Sequence, residues 1–145
     1  SLSICALCNS SLRTRVAVGC MCVDAVINGF KCRMIICYDL RFPYASFNNT
    51  DYDVLLVVAN WPAERIDHWD ALLKARALEN QAYVIGVNRV GMDPFDYAYP
   101  GHSCVYDYSG RNMLRFTGQE VRQIELSKDA LLNYRQKLPF IADRK

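Results

Sequence analysis

Most of the chemistry open to this sequence rests on seven cysteines and two histidines. They are Cys5, Cys8, Cys20, Cys22, Cys32, Cys37 and Cys104, with His68 and His102. An odd cysteine count without the basic start of a secretion signal argues against a disulfide framework. Cys5-Ala-Leu-Cys8 followed by Cys20-Met-Cys22 admits a zinc reading. The second pair is separated by a single residue, which is poor spacing for a zinc knuckle, and small apolar thiols fit the stretch better. No metal is expected. Cys37 is different. It closes an apolar run and is followed at once by Asp39, the strand-to-turn position at which several hydrolase folds present a nucleophile. A buried cysteine is more often a small hydrophobe, so position alone does not decide. A free thiol has a pKa near 8.5, roughly, and must lose its proton before it can attack a carbonyl carbon. That calls for a neighbouring base. A Cys–His pair would supply one, but His68 opens a helix and His102 begins a strand, where each reads as a hydrogen-bonded structural residue.

The elements that must position Cys37 are legible around it. Arg33–Tyr38 reads as a short buried strand ending at Cys37, and Asp39 can cap the turn or helix beyond it. Pro43 fits the start of a short helix to about Phe47, and 48–51 is a turn. Val54–Ala59 is an unbroken apolar strand of the kind covered on both faces in parallel sheets, ended by Asn60-Trp61-Pro62. Asp67–Gln81 is the clearest helix: Ile66, Trp69, Leu72, Leu73 and Ala77 recur at helical spacing, with Lys74, Arg76 and Glu79 off that stripe. Tyr83–Asn88 is the next buried strand. Strand, helix, strand, helix, strand in close succession predicts a layered α/β domain. Gly91–Gly101 reads as a loop. Ser103–Tyr106 and Met113–Phe116 flank a hairpin turn at Tyr108-Ser109-Gly110. Val121–Leu126 alternates like a half-exposed strand, and Ser127 caps a last helix that Pro139 stops. Residues 1–30 carry three charges, Arg13, Arg15 and Asp24, and no convincing period. The change of character falls near Ile27.

Composition excludes several classes. The chain has 145 residues, 52% hydrophobic and 22% charged, with a net charge of +2. A chain of this length can bury roughly 70% of its unfolded surface, so this is not a disordered or low-complexity segment. The small net charge gives no reason to expect nucleic acid or an anionic membrane as partner. No uncharged apolar run reaches the roughly 18 residues of a membrane helix. The expected location is the cytoplasm, where thiols stay reduced.

The segment Cys37-Tyr38-Asp39-Leu40-Arg41-Phe42-Pro43 resembles the nucleophile segment of the nitrilase (carbon–nitrogen hydrolase) superfamily. Further matches occur in the family's order and spacing: Ala59-Asn60-Trp61-Pro62 with Arg65, His68-Trp69, Leu72 through Val84, Gly86-Val87-Asn88-Arg89-Val90-Gly91, and Tyr99-Pro100-Gly101-His102-Ser103. The wording looks most like the omega-amidase branch, whose enzymes hydrolyse the terminal amide of 2-oxo acids such as 2-oxoglutaramate. The resemblance implies the C-terminal portion of an α-β-β-α sandwich over residues 27–145, behind an unassigned cysteine-rich segment 1–26. It implies Cys37 as the nucleophile that forms a thioester. Tyr38 would lend a backbone oxyanion donor, Asn60 and Trp61 would lie at the pocket rim, and Arg41 and Arg65 could bind a substrate carboxylate. A small-molecule amide is the implied substrate, no cofactor is implied, and a homodimer is possible.

By the same resemblance the site also needs a glutamate base and a lysine from segments upstream of the cysteine. Before Cys37 this chain has no Glu, and its sole Lys is Lys31, too close to the strand to match. Glu64, Lys74 and Glu79 match structural positions, with Glu79 expected to pair with Arg76 or Arg89. The isolated chain is therefore expected to be inactive, and the alternative is a non-catalytic fragment or pseudoenzyme acting as an interaction module.

Overall fold

The computed structural model describes residues 2–5 and 23–144. Its centre is a six-stranded sheet whose strands lie side by side in the order Val23–Ile27, Phe30–Ile36, Val54–Ala59, Tyr83–Asn88, Ser103–Tyr106, Asn112–Phe116. Strand β1 (Leu2–Cys5) lies outside it, and β2 (Val23–Ile27) and β3 (Phe30–Ile36) form a hairpin at one edge. Asn28 and Gly29 make its turn at φ 47° and 81°. Two successive positive φ values match the right-handed twist of the flanking strands, and Asn-Gly tolerates them best. This two-residue signal is what extends regular structure back into a stretch that shows no period on its own.

Strands β3, β4 (Val54–Ala59) and β5 (Tyr83–Asn88) run parallel, joined by crossovers. The second crossover is α2 (Ile66–Asn80), the long helix expected from its apolar stripe. Trp69, Leu73 and Ala77 on that stripe are fully buried against Ile35, Leu55, Val57, Val84 and Cys104. Each large apolar side chain so buried contributes about 1.5–3 kcal/mol. Arg76 lies off the stripe but is also buried, at 3% exposure. Its guanidinium turns toward the loop after β3 instead of solvent, and periodicity alone could not show that. The helix ends on Gln81 in the left-handed region (φ 43°), whose N–H reaches the carbonyls of Ala77 and Leu78.

Between β3 and α2 lie a five-residue 3-10 turn, Cys37–Arg41, the short helix α1 (Pro43–Ser46), and a second 3-10 turn, Ala63–Arg65. The segment expected as a plain loop, Gly91–Gly101, instead holds a small antiparallel hairpin, β6 (Val90–Met92) with β7 (Ala98–Pro100). Asp93 organises its tip, accepting from the N–H groups of Phe95 and Tyr97 and from the Tyr99 hydroxyl. Strands β8 (Ser103–Tyr106) and β9 (Asn112–Phe116) complete the sheet, β8 antiparallel to β5 and β9 antiparallel to β8. Strand β10 (Val121–Ile124) pairs with β1 and is mostly exposed, without the alternation its sequence suggests.

Helix α3 (Lys128–Lys137) is capped by Ser127, whose Oγ accepts from the Ala130 N–H at 3.2 Å. Its Leu131 packs on the sheet's second face with Cys32, Val54, Tyr83 and Ile85. The buried Asp53 carboxylate ties this layer together, accepting from the Lys31 N–H at 2.9 Å and pairing with Lys128 (3.1 Å) and Arg135 (3.6 Å). Toward the C-terminal ends of β3 and β4 that same face stays open: Ile36 and Val58 are 57% and 51% exposed. No helix among the described residues is long and apolar enough to cross a membrane.

Candidate active site

Cys37 is the first residue of the 3-10 turn that ends β3. Its φ of 46° is unusual for a residue with a side chain, and strained backbone of this kind persists only where its surroundings over-determine it. Two hydrogen bonds brace the turn from within. The Asp39 carboxylate accepts from the Ile36 N–H at 3.1 Å, and the Asp39 carbonyl accepts from the Phe42 N–H at 3.0 Å. Leu40, fully buried, roots the turn in the core.

The thiol packs beside the apolar cluster, with Sγ 4.0 Å from the Asn60 carbonyl at the end of the neighbouring strand. Burial pushes the Cys37 thiol above its ordinary pKa, and the charge of Asp39 adds to that. Backbone groups of Asn60 and Tyr38 and the charge of Arg41 oppose it without cancelling it. Burial of this kind disfavours the thiolate, the form that attacks a carbonyl carbon. Neither imidazole hydrogen-bonds it. His68 Nδ1 lies 3.3 Å from both terminal nitrogens of Arg41, and His102 Nδ1 lies 3.1 Å from Asp70. Among the described residues, no glutamate or lysine hydrogen-bonds it either.

Arg41, at the end of the same turn, lies over the Trp61 ring at 4.8 Å. Trp61 packs on two sides. It is core, 3% exposed and tilted against Trp69 at 5.6 Å, and it also carries Arg41 on its face. Its indole N–H donates to the Arg65 carbonyl at 2.7 Å. Arg65 joins this group through that carbonyl, while its guanidinium is about half exposed and meets Glu64 at 3.6 Å. Asn60 and Tyr38 are exposed beside Cys37.

One positioning residue escaped the sequence reading. Asn88, at the end of β5, accepts from the Trp61 N–H at 2.6 Å and donates to the carbonyls of Trp61 (3.0 Å) and Gly101 (2.7 Å). It fixes the Trp61 backbone against that of Gly101. A polar residue closing an apolar strand was the available signal. Glu79 pairs with Arg76 at 2.9 Å, as expected, and not with Arg89. Arg89 stacks on Tyr99 of the small hairpin at 4.7 Å. No cluster of His, Cys, Asp and Glu able to hold a metal occurs among the described residues. The zinc reading of Cys5, Cys8, Cys20 and Cys22 concerns side chains outside the described residues.

A layered sheet that ends in a strained cysteine turn, with an arginine stacked on a neighbouring tryptophan, agrees with what comparison shows: the chain belongs to the carbon-nitrogen hydrolase family, which matches residues 16–127. It is similar to the omega-amidase YafV of Escherichia coli K12, 50% identical over 113 residues, covering 77% of this chain and 44% of that protein. It is also similar to the 2-oxoglutaramate amidase of Bacillus subtilis 168, 36% identical, covering 81% and 46%. Among solved structures it superposes on XC1258 of Xanthomonas campestris, a CN-hydrolase superfamily protein, with a TM-score of 0.85 and 35% identity. That match covers 89% of this chain and 52% of the other. The mixed α/β architecture is thus the nitrilase-type fold. The chain spans about half the length of the relatives it matches.

Proposed function

We propose that this chain carries the nucleophile and substrate-facing part of an amidase that hydrolyses an aliphatic omega-amide, such as that of 2-oxoglutaramate, to a carboxylate and ammonia. The observation that carries the reading is Cys37 itself, held at positive φ at a strand end beside Asn60, with Arg41 stacked on Trp61 alongside. In the reaction the Cys37 thiolate attacks the amide carbon. The Tyr38 N–H donates to the oxyanion, the C–N bond breaks, and ammonia departs with a proton from a general acid. Water then hydrolyses the thioester, leaving the carboxylate and restoring the thiol. Arg41 and Arg65 are suited to a substrate carboxylate, with Asn60 and Trp61 at the rim.

The reaction needs a base to take the thiol proton and a second oxyanion donor, and among the described residues none hydrogen-bonds Cys37 in either role. Losing one such donor costs roughly 10²–10³ in rate. The isolated chain is therefore expected to release ammonia from omega-amides of 2-oxo acids no faster than its Cys37→Ala variant. Turnover by the wild type that disappears in Cys37→Ala would overturn the claim of inactivity and identify the nucleophile in one experiment. A second reading, a non-catalytic interaction module, is favoured by the open apolar sheet face at Ile36 and Val58. It predicts no turnover even when a glutamate- and lysine-bearing segment of a relative is added in trans.

A further inference from the structure

We infer that Arg76 is a positioning residue for Cys37, holding the strained turn from outside through the Leu40 carbonyl. Arg76 lies on α2, thirty-six positions along the chain from Leu40, and its Nη2 donates to that carbonyl at 2.8 Å. Both partners are shut away from water, Leu40 at 0% and Arg76 at 3% exposure. The other arm, Nη1, donates to Glu79 Oε1 at 2.9 Å, one helical turn further on. Nε is buried without a hydrogen-bond partner. Burying a guanidinium with one donor unmet is costly, so stability alone is a poor account of this arginine. The fork spans two acceptors at once, Leu40 on the turn and Glu79 on the helix, and a lysine ammonium on its flexible stem does not reproduce that geometry.

Two of the turn's hydrogen bonds flank Cys37. Asp39 takes the Ile36 N–H just before Cys37, and Arg76 takes the Leu40 carbonyl three residues after it. Between those points lie the left-handed Cys37 and the Tyr38 N–H. If the second point is released, Cys37 relaxes toward ordinary backbone angles and the Tyr38 N–H swings off the sulfur. The thiolate then loses a donor, and the thiol becomes harder to ionise. The inference rests on Cys37 being the reactive thiol. It does not require that the chain turn over an amide.

The test is the pH dependence of Cys37 alkylation by iodoacetamide in the full chain, read by peptide mass mapping, so that other cysteines do not contribute. Wild type, Arg76→Lys and Leu73→Ala are compared. Leu73→Ala loosens the same helix from the same sheet at Gly86 and removes neither of the hydrogen bonds that Arg76 makes. Arg76→Lys is expected to move the alkylation midpoint upward by about one pH unit, slowing labelling at pH 7 about tenfold. Leu73→Ala should leave the midpoint in place. Equal midpoints in wild type and Arg76→Lys, or the same displacement in Leu73→Ala, would sink the proposal. Should Arg76→Lys not fold, Glu79→Gln carries the test: it weakens the fork's anchor on the helix and should shift the midpoint in the same direction by a smaller amount. An unmoved midpoint there counts against the role. Failure of the amidase reading would show as no ammonia release even with a glutamate- and lysine-bearing segment of a relative added in trans, while the alkylation pattern stays intact.

Discussion

At the scale of the residue, the chain uses carboxylates to hold turns. Asp107 is 5% exposed, just past β8, and it organises the turn to β9. Its Oδ1 accepts from the Ser109 N–H (2.9 Å), the Ser109 hydroxyl (2.6 Å) and the Arg111 N–H (3.0 Å), and Oδ2 takes the Arg111 Nε at 3.1 Å. Burial pushes this carboxyl up, but the bonds from Ser109 and Arg111 outweigh it and hold the group below the ordinary carboxylate range. A carboxylate depressed on folding contributes stability above its unfolded pKa, and that contribution disappears as the pH falls through the folded value. Asp107→Ala should therefore lower stability at pH 7 by about 1–3 kcal/mol. In urea melts the gap from wild type should narrow once the pH drops below about 4, the unfolded aspartate value. A gap that stays constant down to pH 2 would show that charge has no part in it.

At the scale of the element, the tightest joint lies between α2 and β5. Gly86 sits where the helix presses on the strand. A methyl group there would run into Leu73 and stand 2.8 Å from the Trp69 ring, and both of those side chains are fully buried with no room to retreat. Overpacking of this kind typically costs about 1–3 kcal/mol. Gly86→Ala should lower the thermal midpoint accordingly, whereas Gly29→Ala, with open space around it, should lose only what its positive φ demands. Equal losses at the two glycines would show that helix–strand contact does not set the cost. The same joint matters to the site. Helix α2 supplies Arg76 to the cysteine turn and His68 to Arg41, and β5 supplies Asn88 to the Trp61 backbone.

At the scale of the whole molecule, the sheet is closed on one face and partly open on the other. Trp69, Leu73 and Ala77 seal the first face, and Leu131 covers the second only near Val54, Tyr83 and Ile85. Ile36 and Val58, side by side in the β3–β4 register, remain exposed. Exposed apolar surface of this kind favours association. The double variant Ile36→Thr, Val58→Thr should reduce concentration-dependent association in light scattering while leaving the melting temperature within a few degrees of wild type. Unchanged association would place the sticky surface elsewhere, for instance at Met92 and Phe95 on the hairpin tip, 60% and 80% exposed.

Local chemistry was enough to read β4 and β5 to the residue, because unbroken apolar runs end abruptly at Asn60 and at Asn88-Arg89. It was likewise enough to place α2 by its stripe and Cys37 at a strand end before a turn. Asn28-Gly29 was a readable hairpin signal, obscured by the aperiodic sequence before it. The hairpin at Val90–Pro100 was hidden because its proline and glycine content suits a loop equally well, and the carboxylate of Asp93 is what decides it. Other features depend on partners brought together by folding. The burial of Arg76, the joining of Arg65 to the site through its carbonyl, and the service of Asn88 to Trp61 are set by hydrogen bonds across 36, 4 and 27 positions. A sequence pattern reports which face of an element is apolar. It cannot report which buried donor meets which carbonyl, because that depends on how the elements pack. A cysteine at the end of a short strand, with an arginine four residues on, follows from the residues alone. That this cysteine is strained, partly buried and held from α2 comes from neighbours that the chain brings together by folding.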